Sequence, residues 1–264
     1  MIVSFATMSK IYTTGISSAI LDADNPIHQR LLVPYLQSQK YAKGDLLEVG
    51  CGNGRGVDYI LPFIRSYTAI DRTEPAILPL QKKYPNSTFV RGAVPPMPFA
   101  DNSFDTVISF QVIEHIKEDR FFLKEVLRIL RPSGFVLITT PNRPMSLSRN
   151  PWHVREYTTL ELTKLAQEIF SQVTVKGISG NESVMKYYEQ NKKSVQKIMK
   201  WDILDLQHRL PASMLRLPYE VLNRLNRNNL KKKDGELVKD ISTKDFFILD
   251  DSSESIDLFM IAKK

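Results

Sequence analysis

An α/β fold, with a largely parallel sheet and helices on both faces, is what this sequence predicts, on three observations. Over residues 43–180, short apolar runs alternate with segments whose apolar positions recur at helical spacing. The first run leads into a glycine-rich turn, LLEVGCGNGRG, at residues 46–56. A later run, FDTVISF, is close to unbroken in its apolar character, which fits a strand buried on both faces.

Strands are predicted in order at DLLEVG, YTAID, STFVRG, FDTVISF and GFVLITT. Between the last two, KEDRFFLKEVLRILR places Phe122, Leu123, Val126, Leu127 and Leu130 at helical spacing, so one face packs on the sheet. RPSG then supplies the proline and glycine of a stop. TTLELTKLAQEIF opens with Thr158 and carries Glu161 three residues on, a capping-box signature for another helix. SQVTVKG follows as a strand, and IDLFMIAKK closes the chain as another. A further helix is predicted over residues 25–39. Residues 181–240 break the rhythm: they read as helical, interrupted by Pro211 and Pro218, and rich in Leu, Met, Lys and Arg. The expected organisation is an N-terminal helical segment (1–42), a core (43–180), a basic helical cap (181–240) and terminal strands of the core sheet (241–264).

The 264 residues are 42% hydrophobic and 25% charged, a soluble globular composition. Cys51 is the one cysteine, so no internal disulfide forms and a reducing compartment fits. No leader pattern and no run of eighteen apolar residues occurs, so a cytoplasmic protein without a membrane span is expected. The net charge is +7, and residues 191–233 alone hold eleven Lys or Arg against three Asp or Glu. That balance permits a polyanionic partner without requiring one.

A strand, a glycine turn and a helix in succession form a cofactor cradle in open α/β sheets. The helix start offers backbone N–H groups, and glycine admits close approach. A nicotinamide dinucleotide asks for G-x-G-x-x-G, whereas Gly50, Gly52 and Gly54 give G-x-G-x-G. Asp71, at the end of the second strand, stands where an acid accepts hydrogen bonds from ribose hydroxyls. That feature alone does not separate NAD from other adenosine cofactors.

Taken in order, LLEVGCGNG, AID, MPFADNSFDTVISFQVIEHI and LRPSGFVLITTPN resemble the class I S-adenosylmethionine-dependent methyltransferases, of the type 11-like kind. The resemblance implies a Rossmann-like sheet of seven strands with the last antiparallel, and S-adenosyl-L-methionine as cofactor. It gives Glu48, Gly50 and Gly52 the methionine end of the cofactor and Asp71 the ribose. Gly92, Ala93 and Val94 would flank the adenine, and Ser109, Phe110 and Gln111 the methyl-bearing side. Many relatives carry Asp or Ser where Ala93 stands, which removes a side-chain hydrogen bond to adenine and leaves the backbone contacts.

For the methyl acceptor, His115 in QVIEHI lies just beyond the fourth strand and is one candidate base. Quinone-pathway O-methyltransferases carry E-x-x-E-H here and bind a divalent cation. Gln111, Glu114 and His115 lack one of those carboxylates, so no metal site is expected. The segment TTPNRPMSLSRNPWHVREYTTLEL resembles bacterial methyltransferases of polysaccharide and lipopolysaccharide pathways. That resemblance makes His153 the first candidate base, with Trp152, Arg155 and Tyr157 toward the substrate. Arginine can hold a phosphate or carboxylate, and tryptophan can stack on a sugar. Alternatively, the loop is anchored by an Arg–Glu pair and a buried Trp and touches no substrate.

The expected function is therefore methyl transfer to a small-molecule acceptor, a sugar or glycoconjugate hydroxyl. An anionic or lipid-linked substrate at the basic cap is a further expectation. Leu and Met of the cap, at helical spacing, are read as core. The alternatives are a quinone or aromatic O-methyltransferase, a nucleic-acid modifier using the basic cap, or a non-catalytic cofactor-binding relative. No nucleic-acid partner is expected, because no RNA-binding module or basic–aromatic stripe is present.

Overall fold

The structure, a computed structural model, describes residues 21–202 and 205–264. Its strands are β1 (Asp45–Val49), β2 (Ser66–Asp71), β3 (Thr88–Arg91), β4 (Phe104–Phe110), β5 (Leu130–Pro141), β6 (Gln172–Gly180), β7 (Phe246–Leu249) and β8 (Asp257–Lys263). The helices that precede and follow the early strands are α1 (Asn25–Ser38), α2 (Val57–Ile60), α3 (Glu74–Lys83), α4 (Asp119–Ile129) and α5 (Thr159–Gln167). Four more separate β6 from β7: α6 (Glu182–Met199), α7 (Leu206–Arg209), α8 (Ala212–Lys233) and α9 (Gly235–Asp240). Residues 1–20 of the expected N-terminal segment lie outside the described residues.

Among the described residues, one sheet of eight strands runs in the order β3-β2-β1-β4-β5-β8-β6-β7. Strands β1 to β5 pair in parallel, while β8 is antiparallel to both β5 and β6. The expected seven strands are thus joined by an eighth: β7, with only four residues (FFIL), pairs antiparallel with β6 at the sheet edge. The chain winds from β1 outward to β3, then returns to place β4 on the other side of β1. That reversal opens a crevice at the carboxyl ends of β1 and β4, where open α/β sheets bind ligands.

Central strands bury both faces, as their apolar runs require. Leu46 belongs to one core layer, while Leu47 and Val49 belong to the other. Helix α4 buries Phe122, Leu123, Val126 and Ile129 against the second layer. The capping box at α5 is formed: the Thr158 hydroxyl accepts from the Glu161 N–H, and the Glu161 carboxylate accepts from the Thr158 N–H. The RPSG segment lies within β5, where Ser133 takes a positive φ of 65° and the register with β4 shifts.

Pro218 does not interrupt the cap but sits inside α8. It stands on the exposed face, where the carbonyl that its missing N–H leaves unbonded can meet solvent. Helices α8 and α9 are tied back to the start of α1. Buried Asp24 pairs with Arg224 at 2.9 Å and Arg227 at 3.1 Å, and the Asn25 side chain donates to the Val238 and Ile241 carbonyls, both at 2.8 Å. Among the described residues, no helix is long and apolar enough to cross a membrane.

Candidate functional site

The glycine turn after β1 is held in a conformation that few other residues adopt. Gly50, Gly52 and Gly54 have φ of 80°, 50° and 71°. A Cβ on Gly50 would lie 2.4 Å from Val112, so the close approach of the turn to the segment after β4 also excludes a side chain. Gly56 is needed for a different reason, since a Cβ there would fall 1.9 Å from the Tyr35 ring of α1.

Asp71, at the carboxyl end of β2, fixes the turn. Its Oδ2 accepts the Gly52 N–H at 2.9 Å and its Oδ1 accepts the Thr73 N–H at 2.8 Å. Each carboxylate oxygen keeps a second lone pair for a hydroxyl. Gly50, Gly52, Asp71, Gly92, Ala93, Val94, Phe110 and Gln111 all line one large cavity of about 1910 Å³. The site thus offers a backbone cradle, a carboxylate and an apolar slot of Ile70, Ala93 and Val94, chemistry that suits a zwitterionic end, a ribose and an adenine.

Two residues assigned to the cofactor stand back from that cavity. Glu48 is 1% exposed. Tyr35 donates to its Oε1 at 2.6 Å, and the Tyr67 hydroxyl donates to its Oε2. Burial raises its carboxyl above the ordinary range, against the opposing effect of the tyrosine hydrogen bonds. The Glu48 carboxylate is therefore engaged by two tyrosine hydroxyls and not by the cavity. Ser109 is fully buried within β4, whereas Phe110 at the end of the strand and Gln111 just beyond it line the cavity.

The long connection after β5 forms the opposite wall. It is closed at its base by the Asn142–Tyr157 bridge. The Asn142 side chain donates to the carbonyls of Ser252, Ser253 and Ser255. The Val154 and Arg155 N–H groups donate to the Glu114 carbonyl at 2.7 and 3.2 Å, seating this loop on the segment after β4. His115 and His153 are thereby packed edge to face, 4.9 Å between ring centroids.

Their tautomers follow from their partners. His115 Nδ1 donates to the Trp152 carbonyl at 2.9 Å. His153 Nδ1 lies 2.6 Å from Glu156 Oε1, and the Asn150 amide lies 2.8 Å from His153 Nε2. Because Asn150 Oδ1 accepts the Trp152 N–H at 3.0 Å, its NH2 faces the ring, so Nε2 carries the lone pair. Burial lowers the His115 imidazole to about 4. Burial also pushes the Glu114 carboxyl up to about 7. Burial would raise Glu156 as well, but hydrogen bonds from His153 and Ser146 and the charges of His153 and Arg143 hold it below its ordinary value.

Glu114, His115 and His153 bring their donor atoms within 4.8 Å of one another. Both imidazoles spend Nδ1–H on an acceptor behind them, as histidine metal ligands do, but the His153 Nε2 lone pair accepts from the Asn150 amide, which a cation would have to displace. The set could hold a divalent cation. The spacing of Gln111, Glu114 and His115 could not show this, because the third donor arrives from a loop nearly forty residues on.

The remaining substrate candidates divide. Trp152 lines the cavity, and the Arg216 guanidinium of α8 stacks on it at 4.1 Å. Arg155 and Tyr157 are turned away from it. Both bond Asp119 Oδ2 at 2.8 Å, so they anchor the loop to the start of α4. An Arg–Asp pair, rather than an Arg–Glu pair, is the anchor. The cap supplies what sequence reading missed: Tyr187, Tyr219, Asn223 and Arg227 line the cavity from α6 and α8. Asp257, paired with Arg30 at 3.2 Å, lines it from β8. None lies near the glycine turn in sequence, so no local motif could have flagged them.

An open sheet with a switch point beside a glycine turn, and an antiparallel last strand, defines the class I methyltransferase type of α/β domain. Residues 47–138 match the family model described as a methyltransferase domain. A probable S-adenosylmethionine-dependent methyltransferase of Mycolicibacterium smegmatis is 37% identical over 146 residues, 53% of this chain and 54% of that protein. The phthiotriol/phenolphthiotriol dimycocerosates methyltransferase 1 of Mycobacterium ulcerans is 32% identical over 140 residues, 52% of this chain and 51% of that one. The chain thus matches about half the length of these curated relatives. A solved S-adenosylmethionine-dependent methyltransferase of Thermotoga maritima superimposes with a TM-score of 0.58 at 15% identity, covering 90% of this chain and 91% of that one, which shows the fold. The chain carries a methyltransferase domain of the S-adenosylmethionine-dependent kind.

Proposed function

We propose that this protein transfers a methyl group from S-adenosylmethionine to a hydroxyl of a sugar or glycoconjugate. The observation that carries the reading is one cavity lined by the glycine turn and Asp71, by His153 and Glu156, and by polar residues of the cap. When bound, the cofactor supplies an electrophilic methyl group on a sulfonium. Asp71 would hold the ribose, the Gly50–Gly52 backbone the methionine end, and Gly92, Ala93 and Val94 the adenine.

The two histidines are not equivalent in this chemistry. His115, pushed to about 4 by burial, stays neutral at physiological pH. His153 has a carboxylate on its Nδ1–H, which orients the ring and stabilises the imidazolium formed when Nε2 gives up its hydrogen bond from the Asn150 amide and takes the acceptor's proton. Glu156 is thus a positioning residue for His153. A sugar fits the cap wall. Tyr187 and His28 line the cavity, the Tyr187 hydroxyl and His28 Nδ1 being buried and without a hydrogen-bond partner among the described residues, and Trp152 offers a ring face. The name of the Mycobacterium ulcerans relative gives that protein lipid acceptors, which supports a glycoconjugate that carries a lipid.

A second reading, O-methylation of a quinone or other aromatic hydroxyl, is favoured by the Glu114–His115–His153 donor set, since a cation would take up the charge of the acceptor oxygen. Turnover of His153→Ala and of chelator-treated wild type, measured on sugar and aromatic acceptors, tests both. The sugar reading expects His153→Ala to lose about a hundredfold or more in turnover with S-adenosylhomocysteine affinity unchanged, and chelation to have no effect. Wild-type turnover by His153→Ala contradicts it, and abolition by chelation favours the second reading.

A further inference from the structure

Helix α8 is amphipathic in the reverse sense. At one hundred degrees per residue, Met214, Leu217, Val221 and Leu225 fall on one stripe with Leu222 at its edge. All five are exposed, from 42% at Val221 to 61% at Met214. The opposite side is turned inward and mostly polar: Tyr219, Asn223 and Arg227 line the cavity, Arg216 stacks on Trp152, and Leu230 packs in the core near the end of the helix. The expectation that the cap's Leu and Met are core therefore fails for this stripe and holds in the same helix for Leu230. An apolar stripe kept in water along a whole helix marks an interaction surface.

The charge around the stripe selects what covers it. From residue 206 to 233 the chain carries seven Lys or Arg and one acid, Glu220, which lines the cavity. Arg224, Arg227 and Lys231 are engaged by Asp24 and Asp22. Arg209 before the helix, and Lys232 and Lys233 at its end, are exposed, and among the described residues no ion-pair partner meets them. Lys232 falls on the same stripe as Met214 and Leu225. Apolar side chains flanked by free cations, with no exposed carboxylate between, form the pattern of a helix lying in the surface of an anionic bilayer. Val221 and Leu225 also border the cavity, so a surface docked there meets its rim.

We propose that the outward face of α8 docks this protein on an anionic lipid bilayer. The surface is independent of which hydroxyl is methylated. Co-flotation of the full chain with phosphatidylcholine vesicles, with and without phosphatidylglycerol, tests it. The expected result is association with the phosphatidylglycerol vesicles, weakened by salt. Leu217→Glu/Val221→Glu/Leu225→Glu should reduce it more than about tenfold, and Lys232→Glu/Lys233→Glu should reduce the preference for the anionic lipid. Because these side chains are exposed, a thermal melt matching wild type shows the variants folded. Equal partitioning into both vesicle types, or none into either, overturns the proposal. A lipid-free dimer that the triple substitution dissolves also overturns it, and assigns the stripe to a second copy of the chain.

Discussion

Glu48 and Glu114 are both taken out of water by the central strands, and they are handled differently. Glu48 is satisfied by two tyrosine hydroxyls. Glu114 accepts one hydroxyl, from Thr140 at 3.1 Å, and its carboxyl rises from 4.5 to about 7. Because the folded form binds the proton more tightly, Glu114 favours the fold at low pH, and that contribution is lost as pH rises from about 4.5 to 7. His115 acts with the opposite sign: lowered from 6.5 to about 4, it costs stability as pH falls between those values. Glu114→Gln should remove the first slope and leave the second, raising stability by about 1–3 kcal/mol at about pH 8 and little at about pH 4. Urea denaturation across that range reads the difference, and coincident curves at high pH would show that Glu114 carries no buried charge there.

Among the elements, those with a complete local signal were legible. Strand β4 and the Thr158–Glu161 box match their sequence signatures residue for residue. Thr158→Ala removes the acceptor for the Glu161 N–H and should cost about 1 kcal/mol, while Thr158→Ser should cost almost nothing. Equal midpoints for the two variants in a denaturant series would remove the cap from the account of α5. Other elements were less readable. Four residues are too few for β7 to declare itself, and its pairing with β6 is set by a hairpin-like return across the whole cap. In α8 the period of Leu and Met was readable, but not its direction. Periodicity says which residues share a face, and only the packing of the inner face on Trp152 and Asp24 says which side is out.

At the scale of the molecule, the glycine turn and Asp71 were visible because the chemistry of close backbone approach writes itself into neighbouring positions. Their support was not. Tyr35 reaches Glu48 from α1, Arg30 pairs with Asp257 from the last strand, and Asp119 receives both Arg155 and Tyr157. Such partners are chosen by the sheet order, so a residue's role changes from substrate contact to anchor without any change in its local sequence. The central claim is that the β1–β4 switch point holds S-adenosylmethionine. Calorimetric titration of the full chain with S-adenosylhomocysteine and with NAD, for wild type and Asp71→Ala, tests it most directly. The account predicts that wild type binds S-adenosylhomocysteine and not NAD, and that Asp71→Ala weakens binding by more than about tenfold, since the acceptors proposed for the ribose and the tie to Gly52 are lost. Preference for NAD, or equal affinity for S-adenosylhomocysteine in wild type and variant, would contradict it.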